Sequence, residues 1–371
     1  MSLANTYARY PIEFVSGEGC WLTDAKGDRY LDFLSGIAVN NLGHCHPTVV
    51  AAVQKQVGTL MHVSNLFYTD ANKSLAVRLA GRSLGGSVFF CNSGAEANEA
   101  AIKLVRKAKP RGDVVVALNA FHGRTYGALS ATPQESKQAP FAPLVPGFRA
   151  VEASEIPSAL DEHTAAVLIE PIQGESGVNV MSAELLASIR EACDAVGAAL
   201  VFDEVQTGIG RTGSLFAYEQ LGVRPDAMTL AKGLGGGLPI GALVIGERLN
   251  DVLSPGDHGS TFAGGPVVSV AAHAVLDTVD DEAFLQRVRD AGEILLERIR
   301  ELPKVVSARG RGLMVAAEID ADAPDVTKRA LMDHKLIINA TGATTLRFLP
   351  PLIVTDEEID EALERLGRAL S

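Results

Sequence analysis

The sequence predicts an α/β protein, with a large domain built on a mostly parallel, doubly wound sheet and a small α/β C-terminal domain after it. Two observations carry this. Between residues 46 and 282, short apolar runs suited to buried strands alternate with stretches of helical apolar spacing, the pattern of a sheet whose strands are joined by crossover helices. After residue 282 comes one long amphipathic stretch, then shorter strand candidates and a closing helix. The chain's 371 residues are too many for one small core, so a cleft between a large and a small domain is expected.

Residues 1–45 read as an N-terminal segment that packs with the small domain. It holds a hairpin signal, in which Trp21-Leu22 and Tyr30-Leu31 flank the turn sequence from Asp24 to Asp28. Helical spacing runs through residues 49–60, 73–84, 95–107, 183–196 and 266–279. The strand candidates between them are 88–91, 114–118, 166–169, 199–202 and 241–245. The Pro-rich stretch 133–146 is the longest irregular segment, either a mobile flap or a surface excursion. In the C-terminal part, 283–371, the amphipathic stretch 282–302 precedes Gly310-Arg311-Gly312 and strand candidates 313–319, 336–339 and 346–349. Thr355-Asp356-Glu357-Glu358 then reads as the capping sequence of a final helix.

Composition narrows the function. At 47% hydrophobic and 21% charged residues, the chain is of ordinary globular type. A formal net charge of −12 with no dense basic run argues against nucleic acid as a partner. Cys20, Cys45, Cys91 and Cys193 are scattered without a C-x-x-C pair, against a disulfide framework or zinc site. The N-terminal residues lack an apolar signal core and no long apolar window follows, so secretion and membrane spanning are excluded and a cytoplasmic location is expected. His44 and His46 have a metal-like spacing, yet no further ligands converge in sequence; a structural role before a helix is expected, and no metal. The acids Asp280, Asp281 and Glu282 read as a charge complement to a helix N-terminus.

The chemistry concentrates in two strand ends. An apolar run from Ala199 ends in Asp203-Glu204, and ligands of open α/β sheets gather at the carboxyl ends of strands. A second run, from Ala227, ends in Lys232 before the glycines 233 and 235–237. A lysine there, desolvated or near positive charge, has the lowered pKa that lets a neutral amine form a Schiff base. Strand-end Asp, then strand-end Lys before glycines, resembles the fold-type I pyridoxal phosphate enzymes. The blocks 36–47, 89–103, 121–125, 170–178 and 258–262, in this order, resemble the class III aminotransferases over nearly the whole chain.

That resemblance implies pyridoxal 5'-phosphate held on Lys232, which also moves the proton, and a charge-assisted bond from Asp203 to the pyridinium nitrogen. Ser93, Gly94 and Ala95 open a helix whose amides would face the phosphate, though a Ser-Gly pair is also an ordinary N-cap. Phe121 would stack on the ring and Gln206 approach its phenolic oxygen; their plainer alternatives are a core aromatic and a solvated amide. Thr261 resembles the threonine that reaches the phosphate of a neighbouring subunit's cofactor, which implies a homodimer. Arg124 and Arg347 are the implied carboxylate clamps, and Glu175 the gate that pairs with Arg347 while an ω-amino donor is bound. The block from Thr261 departs from the family, with Ala263-Gly264-Gly265 where Gly-Gly-Asn is usual.

Within the family, His62 to Thr69 and the compact length resemble the subgroup that moves the δ-amino group of N2-acetylornithine to 2-oxoglutarate in arginine biosynthesis. Ornithine, 4-aminobutyrate, succinyl-diaminopimelate and a carrier-protein-linked lysine-pathway substrate are the rival donors. A non-catalytic binding protein would be favoured by loss of Lys232 or Asp203, and both are present. A racemase or decarboxylase of the same fold is disfavoured by Glu175 with Arg347.

Overall fold

The computed structural model describes residues 2–371. Its main sheet has seven strands, in the spatial order Ser87–Cys91, Gly241–Ile245, Ala227–Leu230, Ala199–Asp203, Thr164–Ile169, Asp113–Ala117 and Phe148–Val151. The last five run parallel to one another, whereas Gly241–Ile245 pairs antiparallel with both of its neighbours. The sheet is therefore mixed and rich in parallel pairs.

Both faces are covered, and strand alternation sorts the residues between them. Val114, Val116, Leu168 and Val201 pack with Ile102, Leu104 and Val105 of the helix Gly94–Ala108. Their chain neighbours Val115, Val167, Leu200 and Phe202 pack on the other face with Leu186, Ile189 and Cys193 of the helix Ala183–Val196. Two buried faces explain why these strands read as continuous apolar runs. The helix starts are equally local. The side chains of Ser93 and Ser182 accept from the backbone N–H of Glu96 and Leu185, and Gly197, at φ +69°, ends Ala183–Val196 in the left-handed conformation that favours glycine.

The N-terminal hairpin forms with Trp21 opposite Leu31, and Arg29–Asp32 also pairs parallel with Leu336–Ile337 from the far end of the chain. A second antiparallel sheet holds Val305–Arg311, Met314–Ile319, Thr345–Phe348 and Asn339–Ala340. One core joins Leu31 and Phe33 to residues of the helices Glu282–Ile299, Ala323–Met332 and Asp356–Leu370. Thr355 and Glu358 make the expected reciprocal capping box.

The elements differ from expectation in five places. Strand candidate 336–339 is two short strands, and they join different sheets. Val305–Arg311 and Ala323–Met332 were not expected: the first is a partly exposed, polar strand without an apolar run, and the second is a short helix begun by Asp322. Phe148–Val151 adds an edge strand. Stretch 133–146 contains two short helical turns, Glu135–Gln138 and Ala139–Phe141. Among the described residues, no helix is long and apolar enough to cross a membrane.

Candidate active site

Asp203 is the last residue of its strand, and its buried side chain lines a small cavity. Its Oδ2 accepts from Asn98 Nδ2 at 2.7 Å and His122 Nδ1 at 2.8 Å, and its Oδ1 accepts from the N–H of Val205 at 3.0 Å. Asn98 is fixed in turn by Thr229 Oγ1, which donates to its Oδ1 at 2.9 Å from the neighbouring strand. The carboxylate is thus aimed by partners on a helix and two loops, with room for another donor on the cavity side.

Lys232 lies just beyond the adjacent strand and lines the same cavity. Its backbone takes φ +43°, a left-handed conformation that costs a non-glycine residue about 1 kcal/mol and that turns the chain at the strand end into the helical turn Lys232–Gly235. Burial pulls the Lys232 amine below the usual lysine pKa; Glu175, Asp203 and Glu170 oppose this, and Arg347 adds to it. The direction is the one that makes an amine nucleophilic near neutral pH.

Gly94 also lines the cavity, so the N-terminus of the fifteen-residue helix Gly94–Ala108 opens into it. Ser93 stands at the N-cap with its Oγ accepting from Glu96 N at 3.2 Å, and Ala95 follows. Side-chain bulk is not tolerated at Gly94, where a Cβ would lie 2.6 Å from Val205 Cγ1. Helix amides, a serine hydroxyl with its proton free to donate and the helix dipole together suit a phosphate.

Phe121 and Gln206 complete the walls. Gln206 Oε1 accepts from Arg347 Nη1 at 3.2 Å, and its amide donates weakly to Glu175 Oε1 at 3.4 Å. Arg347 is fully buried on the strand Thr345–Phe348. Its Nη1 donates to Glu175 Oε1 and to Gly174 O, each at 2.8 Å, and its Nε to Asn339 Oδ1 at 3.1 Å. Nη2 is buried without a partner among the described residues, a costly state for a guanidinium that a carboxylate would relieve. Burial would raise the Glu175 carboxyl, but Arg347 and Lys232 outweigh it and hold it below the usual range.

Lys232, Asp203, Gly94, Phe121, Gln206 and Glu175 line one cavity, and Arg347 adjoins it through Glu175 and Gln206. Arg124 does not line it. It is exposed, with its guanidinium 5.6 Å from the centre of the Phe121 ring. Thr261 is also exposed, away from the cavity residues.

Three functional residues escaped the sequence reading. Asn98 and His122 hold Asp203, and Glu170 accepts from the N–H groups of Phe121 and Gly174 at 3.0 and 3.2 Å, fixing the loops that carry Phe121 and Glu175. Burial raises the Glu170 carboxyl above the usual range. A signal for Glu170 was present, since it too follows a buried strand end.

The family model described as aminotransferase class-III matches residues 2–370. The chain belongs to the class III aminotransferases. It is 49% identical to the acetylornithine aminotransferase of Caldanaerobacter subterraneus, over 100% of this chain and 97% of that one. With the same enzyme from Aquifex aeolicus it shares 46% identity over 99% of each. The ornithine aminotransferase of Toxoplasma gondii superposes with a TM-score of 0.94 at 34% identity, covering 100% of this chain and 92% of that one. The N-acetylornithine aminotransferase of Stenotrophomonas maltophilia gives 0.84 at 36%, covering 98% and 96%. Class III aminotransferases work with pyridoxal 5'-phosphate. The residues present fit it: an amine and a buried carboxylate lining one cavity and a helix N-terminus opening into it.

Proposed function

We propose that the chain transfers the δ-amino group of N2-acetylornithine to 2-oxoglutarate, giving N-acetylglutamate 5-semialdehyde and glutamate. The observation that carries this is the Glu175–Arg347 pair at the cavity edge, because such an enzyme must accept two donors that differ in where their carboxylates lie. Whole-length identity to acetylornithine aminotransferases supports the same donor.

Bound pyridoxal phosphate supplies a carbonyl that exchanges with amines and a ring that withdraws electrons. Lys232 Nζ would hold that carbonyl and, when free, would be the group that moves a proton at the reacting carbon. Asp203, oriented by three hydrogen-bond donors, would face the ring nitrogen and hold a proton there. Ser93, Gly94 and Ala95 would hold the phosphate, and Phe121 and Gln206 would contact the ring. With Glu175 on Arg347, the clamp is closed to an α-carboxylate, and the ω-amine enters with its own carboxylate toward Arg124. When Glu175 swings off, Arg347 receives the α-carboxylate of glutamate. Catalysis in a cytoplasmic homodimer, with Thr261 reaching the other subunit's phosphate site, belongs to the same proposal, as does the division into domains 46–282 and 283–371.

The test compares acetylornithine, ornithine, 4-aminobutyrate and succinyl-diaminopimelate, each with 2-oxoglutarate. Acetylornithine is expected to have the highest kcat/KM, and a higher value for another donor overturns the assignment.

A further inference from the structure

The segment 133–146 holds a half-buried cation with no ion-pair partner among the described residues. Lys137, on the turn Glu135–Gln138, places its Nζ 5.7 Å from the centre of the Phe121 ring, the ring on which Arg124 rests at 5.6 Å. Two cations therefore lie against one ring, and that ring lines the catalytic cavity although neither cation does. Lys137 spends one of its three protons on Gln134 Oε1. The carboxylate whose charge reaches it is Glu175, which is already bonded to Arg347. Burial and the nearby Arg124 both pull the Lys137 pKa below the ordinary lysine value. Like charges held together in this way favour an anion between them.

The arrangement is braced from both sides. Glu99 Oε1 accepts from Thr125 Oγ1 at 2.6 Å and from the N–H groups of Gly127 and Ala128 at 2.8 and 3.0 Å, which anchors the chain just after Arg124. Gln138 Nε2 donates to Leu129 O at 2.9 Å and ties the Lys137 turn to the short helix Tyr126–Ser130, which holds Gly127 and Ala128. The open hollow beside Lys137 is lined by polar groups, among them Asn119, Ser176 and Glu175. Glu175 also lines the catalytic cavity, so the two spaces meet at the proposed gate.

We infer that Lys137 is a specificity-determining residue that, together with Arg124, holds the substrate carboxylate farthest from the reacting amine. The inference rests on the aminotransferase reading of the site. Segment 133–146 then serves to bring a second cation to the cavity mouth. A donor with a distal carboxylate is favoured over an amine without one, and the five-carbon dicarboxylates gain a contact at the end that Arg347 does not reach.

The test uses the cofactor-loaded full chain with two amines of equal length, 5-aminopentanoate and pentylamine, which differ in the distal carboxylate alone. Single-turnover kcat/KM for each is read from the absorbance change of the bound cofactor, for the unmodified protein, Lys137→Gln and Lys137→Arg. Binding of glutarate is measured in parallel by calorimetry, which needs no turnover. Lys137→Gln is expected to lower the 5-aminopentanoate to pentylamine ratio about tenfold and weaken glutarate by a similar factor, the order of one charge-assisted contact. Lys137→Arg is expected to restore most of both. An unchanged ratio with unchanged glutarate binding overturns the inference, as does an equal loss on both amines, which would mark a merely structural role. If the unmodified protein accepts neither amine but glutarate binding still depends on Lys137, the ω-amine reading fails and the anion site stands.

Discussion

Neutralising Glu175 separates the two half-reactions, because Glu175 is the one charged partner of Arg347 among the described residues. The buried guanidinium has four acceptors, Glu175 Oε1, Gly174 O, Gln206 Oε1 and Asn339 Oδ1, and three of them are neutral. Glu175→Gln leaves an amide oxygen of similar reach, so what is lost is the difference between an ion pair and a hydrogen bond from the same guanidinium to a neutral oxygen, about 1–2 kcal/mol. The Glu175 side chain is 28% exposed, and solvent screening moves the figure toward the lower end. About 1 kcal/mol corresponds to roughly a fivefold shift toward the free clamp. Arg347 is then more often available to the α-carboxylate of glutamate and less often masked while acetylornithine binds.

The assay mixes cofactor-loaded protein with one donor and no acceptor, and follows the absorbance of the bound cofactor through a single turnover. The ratio of the glutamate to the acetylornithine rate constants, each as kcat/KM, is expected to rise about fivefold in Glu175→Gln, in line with the clamp energy just given. A general loss of activity lowers both constants and leaves their ratio alone. An unchanged ratio refutes the gate, and with it the pairing of Arg347 and Arg124 as alternate clamps.

Lys232→Ala is expected to abolish turnover yet still bind pyridoxal phosphate without a covalent link; borohydride reduction of the unmodified protein and peptide mapping should recover the label on Lys232, and a label on another lysine sinks the assignment. Asp203→Asn keeps an oxygen for Asn98 and His122 but loses the charge, so both half-reactions should slow by about a hundredfold or more, and near-normal turnover with the cofactor fully bound contradicts the role given to Asp203. Glu204, buried beside Asp203 and accepting from the N–H groups of Ala217 and Tyr218, has its pKa pushed up to about 7 by burial. Unfolded, the same group titrates near 4.5, so between those values the folded chain holds a proton that the unfolded chain releases, and stability falls as pH rises through this window. Denaturation midpoints at pH 5 and 7.5 should therefore show the unmodified protein losing more stability than Glu204→Gln, by at most about 3 kcal/mol; parallel losses in the two proteins would refute the assignment.

The seven-stranded sheet, its flanking helices and the positions of Asp203 and Lys232 were legible because each depends on neighbours in the chain. A strand buried on both faces must be apolar at every position, as 114–117 and 199–202 are, and an abrupt acid or lysine at its end stands out. Helix caps such as Ser93, Ser182 and Thr355 act over three residues, well within reach of a pattern. Elements of a partly exposed sheet were harder: Val305–Arg311 carries three polar residues and a glycine in seven positions, so its membership is decided by pairing with Met314–Ile319 and leaves little periodic trace.

From the chain alone came the residue types of the site and their order, together with a family resemblance that named most of them. Tertiary structure alone decided which of them touch. Arg347 meets Glu175 across 172 positions of sequence and Gln206 across 141, and Asp203 is aimed by Asn98 and His122 from a helix and a loop far upstream. Lys137 gains a meaning only because its turn folds back onto the ring of Phe121 beside Arg124. The physical reason is that periodicity and capping are written by short-range backbone geometry, whereas a buried charge is placed by whichever distant elements the packed core brings to its side.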